Sequence, residues 1–211
     1  NNPGKFTALI GYEWTQTYNA LHRVVIFKDD ARKVSNIIPF SQFDSTDPED
    51  LWQFLENYET NSGGEVLSIP HSGDSTTGTM FALENAKGKP LSKQYAETRS
   101  RWEPLYETTQ MASDSETHLL LSPNDEFADY ETGGSGPTPQ FQQPKFLKNR
   151  EYTDYSHWSK KHQQGGDMNW RYRYEYARSA LKLGLEQQAR LGINPFKFGL
   201  IGSTDAHTSL P

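Results

Sequence analysis

The sequence predicts an α/β fold in which parallel strands alternate with crossover helices, and three observations carry that expectation. Short apolar segments recur along the chain, at residues 6–15, 21–27, 65–70, 104–110 and 196–201. Helical patterns fall between several of them, and the last helix feeds directly into the last strand, the order expected of an αβ unit. Residue types that ligate metals stand where these strands run out, the rim at which α/β barrels place their chemistry.

Composition narrows the classes. The 211 residues suffice for one domain with a sizeable core. The chain is polar, with a mean hydropathy of −0.84 and a formal charge of −6. That acidic balance argues against a nucleic-acid partner, which usually meets a basic stripe. No run of 18 apolar residues occurs, so no membrane span is expected. Zero cysteines exclude disulfides, Fe–S clusters, zinc fingers and a cysteine nucleophile. Their absence fits a periplasmic or secreted bacterial protein better than a cytoplasmic one, with the cytoplasm left open. The start at Asn1-Asn-Pro-Gly, with no initiator Met, reads as a piece of a longer chain.

In order, the first strand covers Phe6–Thr15 and ends on Gly11-Tyr-Glu13-Trp. A short connection leads to Leu21–Phe27, so the two are expected to pair as a hairpin. Asp47-Pro-Glu-Asp opens a helix, with Asp as N-cap and Pro in the first turn. Leu51, Phe54, Leu55 and Tyr58 form its apolar face, and Asn61-Ser-Gly-Gly ends it. The strand at 65–70 is expected to stop at Pro70, leaving His71 at its end. A short helix follows at 92–102, then a strand at 104–110 with Glu107 and Gln110 toward its end. Asp114-Ser-Glu116-Thr-His118 reads as a polar loop. A Pro/Gly-rich loop insertion spans about 122–146, and its acidic part, Asp125–Glu131, reads as a lid or a solvated face. The longest helix is expected from Met168–Trp170 to Leu191, with Tyr174, Ala177, Leu181 and Leu185 on one face and Gly192 as its stop. The strand at 196–201 then leads to Asp205-Ala-His207.

Each candidate ligand has an ordinary reading when taken alone: a solvated glutamate, a turn histidine, an aspartate capping backbone amides. Their recurrence changes the weight. Glu13, His71, Glu107 (with His118 eleven residues on), Asp205 and His207 all follow apolar strands. Oxygen and nitrogen donors at one rim suit a divalent metal. Competing signatures are missing: no G-x-S-x-G elbow, no H-E-x-x-H helix, no G-x-G-x-x-G turn.

Gly11-Tyr-Glu13-Trp-Thr with His22, Ile69-Pro-His71-Ser, Glu107 to His118, and Gly202-Ser-Thr-Asp205-Ala-His207 resemble the later motifs of the PHP (polymerase and histidinol phosphatase) superfamily. The wording is closer still to a large bacterial branch of it known as a domain of unknown function, in which Asn194–Thr208 looks like a hallmark string. The resemblance spans nearly the whole chain and implies part of a distorted (β/α)7 PHP-type barrel. It also implies a di- or trinuclear centre of divalent metal ions (Zn, Mn or Fe) that hydrolyses phosphate esters. By position it makes Glu13 a metal-bridging carboxylate, His71 and His118 single-metal ligands, and Asp205 with His207 the closing pair. Glu13 and Asp205 are the catalytic candidates. His22 matches a histidine near the site, and Glu107 has a place beside it. The H-x-H and Asp-His motifs that open the superfamily's pattern do not occur, since the histidines are 22, 71, 118, 157, 162 and 207. Residues 1–211 therefore read as a single PHP-like domain incomplete at its N-terminus, with the missing portion of the same protein needed to complete the site.

The function expected is a metal-dependent hydrolase of a phosphomonoester or phosphodiester, with a sulfate or phosphonate ester as variants of the same small anionic substrate. Two ions about 3.5–4 Å apart would clamp the ester oxygens and supply hydroxide at neutral pH. Arg23 and Arg178 are candidate partners for the anionic group. Two other classes stay open: a carbohydrate-active hydrolase using paired carboxylates such as Glu13 and Glu107, and a metal-stabilised non-catalytic binding module with a closed coordination shell.

Overall fold

The computed structural model describes residues 4–130, 155–162 and 169–207. Strands β1 (Ile10–Gln16) and β2 (Leu21–Phe27) form the expected antiparallel hairpin. After a short helix α1 (Ala31–Val34) comes α2 (Pro48–Ser62), then β3 (Val66–His71), α3 (Lys93–Trp102), β4 (Leu105–Gln110) and the two-residue β5 (Ser113–Asp114). Helix α4 (Ser156–His162), α5 (Ala177–Leu191) and β6 (Gly199–Gly202) complete the described elements.

The barrel expected from the sequence is not what forms. The described residues make two three-stranded sheets, ordered β1-β2-β3 and β5-β4-β6, and no closed barrel. The first sheet is antiparallel throughout, and the only parallel pair in either is β4 with β6. Direct hairpin pairing of β1 and β2, with β3 returning antiparallel on β2, explains the departure, since parallel strands would require a crossover between each pair. The chain is a small α/β domain in which β3 packs alongside β4 and so joins the two sheets.

Alternation in the first sheet separates core from site. Leu21, Val25 and Phe27 of β2 are buried on one face with Trp14 of β1, against a core that includes Leu51, Trp52 and Leu55 of α2. The opposite face carries Glu13, Thr15, His22 and His71, because residues two apart on a strand share a face and cross-strand partners share it too. Pro70 does not stop β3. It pairs with Arg23 inside the ladder, which a proline tolerates because, among the described residues, β3 is an edge strand of its sheet.

The α2 caps match the sequence: the Asp47 side chain accepts from Glu49 N at 2.9 Å, and Gly63 closes the helix at φ 61°. Its buried face includes Trp52, which the apolar pattern missed, while Phe54 is only half-buried and stacks on Phe40. Trp52 goes inside because its indole N–H donates to the buried Glu103 carboxylate at 3.0 Å.

The long C-terminal helix is two pieces. A 3-10 segment at Asn169–Tyr174 precedes α5, which begins only at Ala177. The break follows from competing partners: Tyr174 O accepts from Phe81 N, while Ala177 N and Arg178 N donate to Ser115 O and Glu116 O. The buried face of α5 is Ala177, Ala180, Leu183, Gly184 and Gln187; of the expected face Ala177 and the preceding Tyr174 are buried, Leu181 is half-buried and Leu185 is exposed. Gly184 allows Asn194 to lie against the helix, since a Cβ there would meet Asn194 Oδ1 at 2.2 Å. Gly184→Ala is therefore expected to destabilise the fold by about 1–3 kcal/mol by overpacking, despite alanine's better helix propensity. A urea titration showing a more stable variant would refute this packing account. The final strand also starts later than expected, at Gly199 rather than Phe196, because Phe196 is buried in the core and its N–H donates to Asn194 Oδ1.

Candidate metal centre

Glu13 is the hub. From β1 its carboxylate reaches across the hairpin, where Oε1 lies 2.8 Å from His22 Nδ1 and 3.0 Å from His71 Nε2. His22 and His71 are direct cross-strand partners, their rings 5.4 Å apart, which is why two imidazoles meet one carboxylate. Thr15, opposite His22 on β1, holds His22 Nδ1 at 3.2 Å through its hydroxyl. The other oxygen of Glu13, Oε2, lies 3.6 Å from His207 Nε2. His207 in turn is 3.0 Å from Asp205 Oδ1, and Asp205 Oδ2 is 4.0 Å from His71 Nε2. The result is two triads, Glu13–His22–His71 and Glu13–Asp205–His207, whose ligating atoms each lie within 4.8 Å of one another.

Exposure grades across the cluster. His71 is 1 % exposed, Glu13 and Asp205 22 %, and His207 69 %, so the cluster has a buried floor and an open mouth. Glu107 lies on the buried side, near enough for its charge to act on His71, and is itself buried. Gln110, the last residue of β4, donates from Nε2 to Asp205 Oδ2 at 3.0 Å.

The titration behaviour follows from this crowding. Hydrogen bonds from His22 and His71 hold the Glu13 carboxyl well below the usual carboxylate range, against the opposing effect of burial. Burial disfavours charge on His71, but the Glu13 hydrogen bond and the charges of Glu13, Glu107 and Asp205 outweigh it and raise its pKa. Burial pushes Glu107 up; His71 opposes this, and Asp205 and Glu13 reinforce it. Three carboxylates thus converge on one buried imidazole.

A divalent cation fits these residues. The test is Glu107 Oε1, a buried carboxylate oxygen with no hydrogen-bond partner. Such an atom is costly unless something positive satisfies it. The donor set, imidazole nitrogens and carboxylate oxygens with no sulfur, suits zinc, manganese or iron.

Of the sequence candidates, Glu13, His22, His71, Asp205 and His207 come together, with Glu107 beside them. His118 does not join either triad. Its ring stacks on Tyr172 at 4.0 Å and its Nδ1 accepts from Leu120 N. Arg23 and Arg178 are not free for an anion either. Arg23 is buried on Glu103 at 2.7 Å, and Arg178 pairs with Glu116 and Asp125. The latter pairs tie the start of the acidic loop to α5; the loop beyond Tyr130 lies outside the described residues. Gln110 and Thr15 are the polar partners that sequence reasoning did not assign to the site; the only signal for Gln110 was its place at a strand end.

Fold and cluster together define a small α/β domain with a carboxylate–imidazole centre open at one side. The chain belongs to the family described as "Protein of unknown function (DUF3604)", whose profile matches residues 1–148 and 139–211. No curated protein and no solved structure matches it. The family description names no activity and gives no link to the PHP superfamily. Among the described residues, no helix is long and apolar enough to cross a membrane.

Proposed function

We propose that this chain is a metal-dependent hydrolase of phosphate esters whose metal ions are held by Glu13, His22, His71, Asp205 and His207, with Glu107 at the buried side. The observation that carries the reading is the sharing of one carboxylate, Glu13, between two triads of ligating atoms. A bridging carboxylate is what a pair of ions needs, and the motif resemblance to PHP proteins points the same way. When bound, such a pair supplies Lewis acidity toward an ester oxygen and lowers the cost of forming a nucleophile from water at neutral pH.

The chain's own residues would prepare that chemistry. Glu13 stays ionised across the physiological range because two imidazoles hydrogen-bond its anion. His71 Nδ1 faces the Ile69 carbonyl at 3.5 Å, which leaves Nε2 directed at the cluster. The exposed His207 side gives a small anionic ester its approach.

One observation favours a second reading. Glu13 is held low while Glu107 is pushed up, the separation expected of a carboxylate base and a carboxylic acid in a carbohydrate-active hydrolase. Elemental mass spectrometry of the purified protein, with aryl phosphate turnover before and after chelation, separates them. The metal reading expects bound divalent ions, turnover lost on chelation and restored by Mn or Zn, and loss of both metal and turnover in His71→Ala. Glycosidase activity that survives chelation and tolerates His71→Ala would overturn it. Tightly held metal without turnover would leave the non-catalytic binding module.

A further inference from the structure

Gln110 is placed as a clasp between the two halves of the cluster. Its side-chain oxygen accepts from Ala112 N at 2.6 Å. That backbone bond fixes the orientation of the amide, because the oxygen must face the N–H and the NH2 must face away. The nitrogen then has two hydrogens to give. One goes to Ser72 Oγ at 3.0 Å and the other to Asp205 Oδ2 at 3.0 Å. The group is nine-tenths buried, so water does not easily replace either bond.

Both of its acceptors sit on strained backbone. Ser72, the residue after His71, has φ 53° and ψ 43°, and Asp205 has φ 50°. Left-handed backbone is unfavourable for residues with a Cβ and persists where the surroundings impose it. Two main-chain bonds bring the segments together: Ser203 N donates to Thr109 O at 3.1 Å, and Met111 N to Thr204 O at 3.4 Å. These set the height of the Asp205 segment over the end of β4 but not the rotation of its carboxylate. The Gln110 bond supplies that rotation. With Oδ2 held by the amide, Oδ1 faces His207 and Oδ2 stays 4.0 Å from His71 Nε2.

We propose that Gln110 is a positioning residue that sets the Asp205 carboxylate for metal binding, its amide anchored by Ala112 N and Ser72 Oγ. This rests on the metal reading above. Gln110 touches Asp205 rather than an ion, so its effect is expected on the ion held by Asp205 and His207 and not on the one held by Glu13, His22 and His71.

The test uses the full chain, as wild type, Gln110→Ala and Gln110→Glu, titrated with manganese alone by calorimetry. Gln110→Ala is expected to weaken one of two manganese sites by about tenfold to a hundredfold, the usual effect of losing a ligand's hydrogen-bond partner, and to spare the other. Gln110→Glu keeps the shape but sets an acceptor against Asp205, so it is expected to do no better. A merely structural role would weaken both sites together. Hydrogen exchange without metal adds an independent readout: the Met111 and Ser203 amides are expected to exchange faster in Gln110→Ala. Wild-type affinity at both sites with unchanged exchange overturns the proposal, as does equal weakening of both sites. If wild type takes up no manganese, the hydrolase reading fails instead. The exchange rates then decide alone whether Gln110 orders the Asp205 segment, and unchanged rates overturn that too.

Discussion

On the proposed metal-hydrolase reading, Glu13→Gln is expected to lose both ions at once and to lower turnover by about a thousandfold or more. The argument is geometric. Every other ligand candidate belongs to one triad, whereas Glu13 belongs to both, with Oε1 toward His22 and His71 and Oε2 toward His207. Glutamine keeps the volume and one oxygen but loses the charge, and it cannot offer an anionic oxygen on each side. Metal stabilisation of the reacting centre is worth several kcal/mol, and about 1.4 kcal/mol is a tenfold change in rate, which sets the thousandfold scale. The fold itself is expected to survive, because Glu13 lies on the open face of the first sheet and 22 % of its side chain is exposed. Circular dichroism close to wild type and a melting temperature close to that of metal-free wild type, with metal content near zero, is the expected pattern. His207→Ala is the informative contrast, since it is expected to weaken one ion only. A Glu13→Gln protein that retains a full complement of metal would show that Glu13 does not bridge.

Where the sequence was informative, the physics was local. The β1–β2 hairpin, the capped start of α2 at Asp47-Pro48 and the Gly192 stop of α5 follow from signals within a few residues, and they appear where those signals stand. The candidates His22 and His71 stand at the ends of recognisable strands, and Asp205 and His207 just beyond one, which is why the sequence pointed to them; Glu13, expected at a strand end, lies instead in the middle of β1. Strand direction was not legible. Apolar runs of five to seven residues carry no sign of whether they pair parallel or antiparallel. The barrel therefore followed from analogy, whereas the structure has an antiparallel sheet beside a second, mixed one. His118 lies outside both triads, because the end of β4 and the short β5 intervene after Glu107 and its ring stacks on Tyr172. The break before α5 was invisible because its cause is distant: Phe81, Ser115 and Glu116 take the backbone groups that a continuous helix would use.

Arg23 shows how far a residue type alone can mislead, and it leads to the largest expected effect on stability. The sequence offered it as a contact for an anionic substrate, but it ends in the core. Glu103 Oε1 accepts from Arg23 Nε at 2.7 Å and from Trp52 Nε1 at 3.0 Å, and Glu103 Oε2 pairs with Arg99 Nε at 3.0 Å. All three charged side chains are nearly fully buried. One carboxylate thus fastens β2, α2 and α3. Burial alone would push Glu103 up, but Arg23 and Arg99 outweigh it and hold its pKa below the ordinary glutamate value. Glu103→Ala is expected to cost about 3–5 kcal/mol, because it strands two buried guanidiniums rather than removing one bond. A domain of this size is stable by about 5–15 kcal/mol, so the variant would be marginal or unfolded. Glu103→Gln keeps an acceptor for Trp52 and Arg23, so it is expected to fold with a smaller loss. Its pH dependence carries the sign. A carboxyl with a depressed folded pKa contributes stability above its unfolded value and loses it as pH falls through the folded one. Wild type should therefore lose its advantage over Glu103→Gln in acid, and a constant gap between their urea midpoints from neutral to acid pH would refute the ion-pair account.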